Sequence, residues 1–119
     1  MAGRRNSAVV VLMTCANSEQ GASIARTLVA ERLAACVNLV GDIRSIYRWR
    51  DKLEDDREIL LLAKTRTQLL TRLERRVREL HTYEIPEVVA LPLRGGSKPY
   101  LDWLFDSTAG RRRPKALRP

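Results

Sequence analysis

The spacing of apolar residues changes several times along the chain, and each change marks an element. Ala8-Val9-Val10-Val11-Leu12-Met13 is a continuous apolar run rich in β-branched residues. It predicts a strand covered on both faces or lying at the centre of a sheet. After Asn17 the period lengthens: Ile24, Ala25, Leu28, Val29 and Leu33 recur at helical spacing, with Arg26, Glu31 and Arg32 on the wet side. This predicts an amphipathic helix capped by Asn17, with Gln20 reaching back to the cap. A second strand starts at about Cys36. From Asp42 to Arg50 the period is two: Ile43, Ser45, Tyr47 and Trp49 share one face, and Arg44, Ile46, Arg48 and Arg50 the other. Both faces mix polar and apolar groups, which suits a hairpin arm that leaves its own subunit and packs on another.

The chain turns around Asp51-Lys52 and returns through Glu58 to Thr65, with Ile59-Leu60-Leu61-Leu62-Ala63 as the strand core. Thr65-Arg66-Thr67-Gln68 repeats the capping pattern. Leu69, Leu70, Leu73, Val77 and Leu80 then mark a second amphipathic helix, with Arg72, Arg75, Arg76 and Arg78 outside. Ile85-Pro86 stops any helix. Val88 to Leu91 reads as the fourth strand, ended by Pro92; Gly95-Gly96 as a turn; Pro99 to Phe105 as a short helix. The order β-α-β-β-α-β plus a short C-terminal helix predicts an α+β, ferredoxin-like fold with an extended hairpin. Two helices cover one sheet face. No third long helix exists for the other, so apolar strands left open there predict assembly.

The 119 residues suit one domain, read as 8–107, with basic, disordered tails at 1–7 and 108–119. The net charge is +8, but seven of the positive charges lie in the acid-free termini: Arg4 and Arg5, then Arg111, Arg112, Arg113, Lys115 and Arg118. The body therefore carries about +1, and nucleic acid is expected to engage only the basic tail, if that tail is more than a solvated end. RNA-recognition modules need exposed sheet aromatics; the chain is 5% aromatic, and its central strands carry none. No apolar run reaches the roughly 18 residues of a membrane span. The stretch after the basic start is too short for a signal-peptide core. With only Cys15 and Cys36 as thiols, a reducing, cytoplasmic setting is expected.

The only histidine, His81, can ligate a metal, or donate at a helix end. Neither cysteine lies in a Cys-x-x-Cys pair. Cys36, among Leu33, Ala34, Ala35 and Val37, reads as a small buried hydrophobe, and Cys15, at a strand end, as more exposed. Trp103 on the last helix reads as a core aromatic. Catalytic signatures such as G-x-S-x-G and H-E-x-x-H are missing, and a triad needs more than one unaccompanied His. No enzyme and no organic cofactor are expected.

Leu33-Ala34-Ala35-Cys36-Val37-Asn38, Ser45-Ile46-Tyr47-Arg48-Trp49, Lys64-Thr65, His81-Thr82-Tyr83-Glu84-Ile85-Pro86-Glu87 and Tyr100-Leu101-Asp102-Trp103 occur in this order. From Val9 to Trp103 the chain resembles the CutA family of divalent-cation tolerance proteins. The resemblance implies a homotrimer of PII-like type that binds copper or another divalent metal. His81, Cys15 and Met13 are the candidate soft donors. Family members that bind copper have Cys at the place of Met13 and sometimes a second His where Leu80 stands; Thr82 replaces a Pro, and Asp51 a Gly. The resemblance also implies a cleft between subunits at Tyr47, Trp49, Lys64, Tyr83 and Glu87. Two readings of it stay open: an amphipathic pocket for a small anion or zwitterion, or interface packing with a Lys64–Glu87 ion pair. The expected function is non-enzymatic metal binding. The alternatives are a PII-like module that senses a small molecule, and a purely structural assembly protein.

Overall fold

The computed structural model describes residues 7–110. Its elements run β1 (Ala8–Cys15), α1 (Ser18–Ala30), β2 (Cys36–Trp49), β3 (Lys52–Arg66), a one-turn 3-10 helix (Thr67–Leu69), α2 (Leu70–Leu80), β4 (Val88–Pro92) and α3 (Lys98–Ser107). The strands form one antiparallel sheet in the order β2-β3-β1-β4. β3 is inserted between β1 and β2, which is the split βαβ arrangement expected from the element order.

Alternation along β1 and β3 divides the side chains between two faces. Val9, Val11, Met13 and Cys15 pair with Thr65, Ala63, Leu61 and Ile59 on the face turned to the helices. They are buried with Ile24 and Leu28 of α1 and Leu73 and Val77 of α2. Each fully buried Leu there contributes about 1.5–3 kcal/mol. Gly21 lets α1 approach: an added Cβ would stand 3.2 Å from both the Cys15 sulfur and Leu39 Cδ2. The opposite face is covered only at one end, where Leu104 of α3 packs on Ala8 and Ala35, with Leu93, Leu101 and Phe105 around it. Arg66 ties this helix down by donating to Thr108 Oγ1 and the Phe105 carbonyl, and burial lowers its pKa. Elsewhere on this face Val40, Val89 and Leu91 remain exposed.

Local chemistry departs from expectation at several points. Asn17 caps α1 by accepting from the Gln20 N–H, but the Gln20 side chain turns away and donates to Thr82 Oγ1. No capping box forms at Thr65: the residue is buried in β3, and its hydroxyl donates to the Leu33 carbonyl at 2.8 Å. Arg66 takes the N-cap position with no side-chain cap. The hairpin turn is one residue earlier than expected, at Arg50 and Asp51, with φ of 51° and 65°. Positive φ at both central residues is the type I′ requirement, which the twist of a two-residue hairpin selects. Ser7 and Thr108, placed in the tails by sequence, make contacts with the folded body: the Thr67 N–H donates to the Ser7 carbonyl, and Thr108 is buried. The rest of both tails lies outside the described residues.

Candidate functional site

A β-bulge decides what the arm presents. Val40 pairs with Leu60 and Ile43 with Glu58, so Gly41 and Asp42 together oppose Ile59. Asp42 adopts φ 49°, a left-handed conformation that Asp tolerates better than most residues. The extra residue reverses the alternation of β2. Before the bulge, Asn38 and Val40 point to the open sheet face; after it, Ile43, Ser45, Tyr47 and Trp49 do. The aromatic face of the arm therefore continues the face that carries Leu60, Glu58 and Asp56.

Along the arm, from Glu58 to Trp49, this face and the loop after α2 form a cleft of about 730 Å³. Tyr47, Trp49, Tyr83, Ile46 and Ile85 supply apolar wall, and Glu58, Glu84 and Glu87 supply carboxylates. Glu58 is 6% exposed and accepts from the Tyr83 hydroxyl at 2.6 Å. Burial, then the bond to Glu58, raises the Tyr83 pKa. The Tyr47 hydroxyl donates to Asp56, which pushes its pKa up to about 12. At the mouth, the Arg50 guanidinium lies 5.0 Å from the Trp49 ring centroid and 2.6 Å from the Glu84 carboxylate.

His81 follows α2 with extended backbone. Its Nδ1 accepts from the Tyr83 N–H at 3.0 Å. The proton is therefore on Nε2, which donates to the Thr14 carbonyl at 2.7 Å. The ring also packs against Tyr83, tilted by 42° with 4.5 Å between centroids. His81 thus bonds across to β1 rather than to the last carbonyls of its own helix. It positions Tyr83, and through Tyr83 the buried Glu58. Cys15, expected near the surface, is fully buried; its thiol donates to the Asn17 carbonyl, and burial raises its pKa. Met13 is equally buried.

Lys64 does not line this cavity within its own chain. Its ammonium donates to Asn38 Oδ1 and to the Cys36 sulfur, so no Lys64–Glu87 pair forms within the chain. Cys36, expected to be buried, is half-buried and accepts from the Tyr100 hydroxyl at 3.9 Å. Trp103, expected in the core, is exposed and lies against Tyr100.

Comparison with known proteins decides the family. The family model described as "CutA1 divalent ion tolerance protein" matches residues 9–107. The chain belongs to the CutA family. It is 50% identical over 99 residues to "Divalent-cation tolerance protein CutA" of Thermus thermophilus, covering 83% of this chain and 96% of the relative. It is 49% identical over 100 residues to "Protein CutA, chloroplastic" of Arabidopsis thaliana, covering 84% of this chain but 55% of that longer protein. A solved structure of the divalent cation tolerance protein from Thermus thermophilus superposes with a TM-score of 0.84 at 49% identity, over 86% of this chain and 99% of that one.

Membership of the CutA family raises the question of a metal, and the donor set as folded does not fit one. His81 has a hydrogen bond on each ring nitrogen, leaving no lone pair free, and the Cys15 and Met13 sulfurs are shut inside the core. Among the described residues, no three His, Cys, Asp or Glu side chains gather as a metal cluster. Of the five cleft residues named from sequence, four line one cavity and Lys64 does not. Glu58 and Glu84, which also line it, were missed. One signal for Glu58 was available: it is the carboxylate that starts an otherwise apolar strand core, on the face shared with Leu60 and Leu62.

Proposed function

We propose that this CutA chain is a non-enzymatic, homotrimeric binding protein whose ligand site is the cleft along the arm. The observation that carries the reading is the convergence of Tyr47, Trp49, Tyr83, Glu58 and Glu87 on one cavity, along an arm whose apolar groups are unburied. Ile46 is 61% exposed and Leu53 74%, and an isolated two-stranded ribbon is marginal in water. The exposed Val40, Val89 and Leu91 of the open sheet face support the same assembly, with three sheets closing against one another. A thermal-shift screen of small metabolites, repeated on Trp49→Ala and Tyr83→Ala, tests the site. A hit that stabilises the wild type and fails on both variants is expected; an empty screen contradicts the reading.

A second reading is copper or another divalent metal held weakly through His81 with Cys15 and Met13. The names of the relatives, divalent-cation tolerance proteins, favour it. It requires His81 to give up its bond to Thr14 or to Tyr83, and the core to open at Met13 and Cys15. Titration with Cu(I) and Cu(II) tests it: saturable binding abolished in His81→Ala supports a site there, and affinity unchanged by that substitution rejects it.

A further inference from the structure

We infer that the pole of the chain opposite the arm is a docking surface for double-stranded nucleic acid, held by its phosphate backbone whatever the base sequence. Seven positive charges lie in the two acid-free termini, and the fold brings the roots of both termini to one place. β3 runs from the arm tip at Lys52 to the far end of the sheet, where Arg66 pairs with Ala8. Just beyond it stands the one-turn helix Thr67–Leu69. Thr67 donates to the Ser7 carbonyl through its N–H at 2.9 Å and its hydroxyl at 3.0 Å, and Arg4 and Arg5 closely precede Ser7. The other terminus departs beside the same turn. Thr108, Ala109 and Gly110 line a depression with Leu69, Arg72 and Arg32, and Arg111, Arg112 and Arg113 follow Gly110 directly.

The folded residues at this pole add to the charge. Arg72 is exposed on α2 and, among the described residues, takes part in no ion pair. Arg32 donates to the Ser7–distal Ser107 carbonyl at 3.2 Å, which fixes the segment from which the C-terminal run departs and leaves the guanidinium charged. Of the carboxylates nearby, Glu31 is taken by Arg76 at 2.9 Å, and Asp106 is one charge against many. Asp51, Glu54, Asp55 and Asp56 stand on the arm, at the opposite pole. A polyanion is therefore steered to one end of the chain. Arg72 lies on the helix side of the sheet, away from the arm and the open face assigned to assembly. Six of the seven terminal cations are arginine, whose planar fork matches phosphate oxygens. Residues 1–6 and 111–119 include no aromatic to stack on unpaired bases or to seat in a lipid interface. The partner that fits is a duplex, with a phosphate charge about every 1.7 Å and a backbone whose contacts carry no base information.

The test uses the full chain and a short fluorescein-labelled DNA duplex, followed by anisotropy across a salt series. Saturable binding is expected, equal for a second duplex of unrelated sequence, with log K against log salt falling at a slope of about −4 or steeper. Arg111→Gln/Arg112→Gln/Arg113→Gln should weaken it by about tenfold or more and make the slope shallower by about 3. The deciding variants are Arg4→Gln/Arg5→Gln and Arg72→Gln, remote from that run in sequence and beside it in the fold. They should weaken binding too, making the slope shallower by about 2 and about 1 respectively. Arg48→Gln removes one positive charge from the arm and should leave affinity within about twofold. Circular dichroism checks that each variant is folded. Dependence on the C-terminal run alone, or as much on Arg48 as on Arg72, overturns the inference, because the pole would then contribute nothing as a surface. Absence of duplex binding overturns it as well. Binding confined to phosphatidylserine vesicles overturns it in favour of an anionic membrane.

Discussion

The body of this protein and its arm are made from the same two strands, β2 and β3, yet they obey different rules. In the body, Leu61 and Ala63 are buried beneath two helices, so one face of the sheet is covered by the chain itself. Beyond the bulge at Gly41-Asp42, the arm is held by ladder hydrogen bonds, the Tyr47–Asp56 bond and two exposed ion pairs, Arg44–Asp55 within it and Arg50–Glu84 to the loop after α2, while Ile46 and Leu53 are left largely uncovered. An exposed ion pair contributes at most about 1 kcal/mol. Local stability cannot explain a ribbon of this kind. Its apolar Ile46 and Leu53 are left uncovered by the single chain, which is the ground for the proposed assembly, and its aromatic face helps to wall the cleft.

That contrast can be broken or sharpened by substitution. The largest effect belongs to the body: Leu73→Ala, at a fully buried position, should cost about 2–5 kcal/mol in chemical denaturation. Leu53→Ala on the arm should change the stability of a single subunit by no more than about 0.5 kcal/mol. Equal effects would erase the distinction. Thr65→Val should cost about 1–3 kcal/mol, because the Leu33 carbonyl loses its buried donor; a neutral result would mean that water replaces the hydroxyl.

Tyr83 sharpens the comparison through pH. Its pKa is raised in the fold, so the native state retains the phenol proton where the unfolded chain has lost it. The associated stability is fully present below about pH 10, the unfolded value, and is lost as pH rises above it towards the higher folded value. Tyr83→Phe should flatten the alkaline decline in melting temperature, and an unaltered decline would remove Tyr83 from it. The smallest effect belongs to the turn. Asp51→Gly relieves a left-handed residue and should stabilise by about 0.5–1 kcal/mol; a loss would show that the Asp51 side chain has a role of its own.

Much of the fold was legible because periodicity and burial agree wherever one chain supplies both sides of a contact: β1, α1, the core of β3 and α2 follow directly from their apolar spacing. Legibility failed where tertiary partners override local pattern. Thr65 looks like a cap, but the inserted strand buries it against Leu33. The Tyr47 and Trp49 face was readable from alternation; its continuity with Glu58 was not, since it depends on one bulged residue. Within one chain Lys64 and Glu87 do not meet, because Lys64 lies opposite Cys36 in the sheet while Glu87 lies in the loop before β4. His81 was readable as important but not as bonded at both nitrogens, since Thr14 and Tyr83 reach it from different segments.

The central claim is that the arm and the open sheet face are completed by further copies of the chain, around the cleft. Mass by light scattering on the purified protein tests it most directly, with Ile46→Asp/Leu53→Asp as the comparison. The account predicts a wild-type mass three times the 13.6 kDa of the chain, and a smaller mass for the double variant with its body still folded. A wild-type mass of one chain would contradict it.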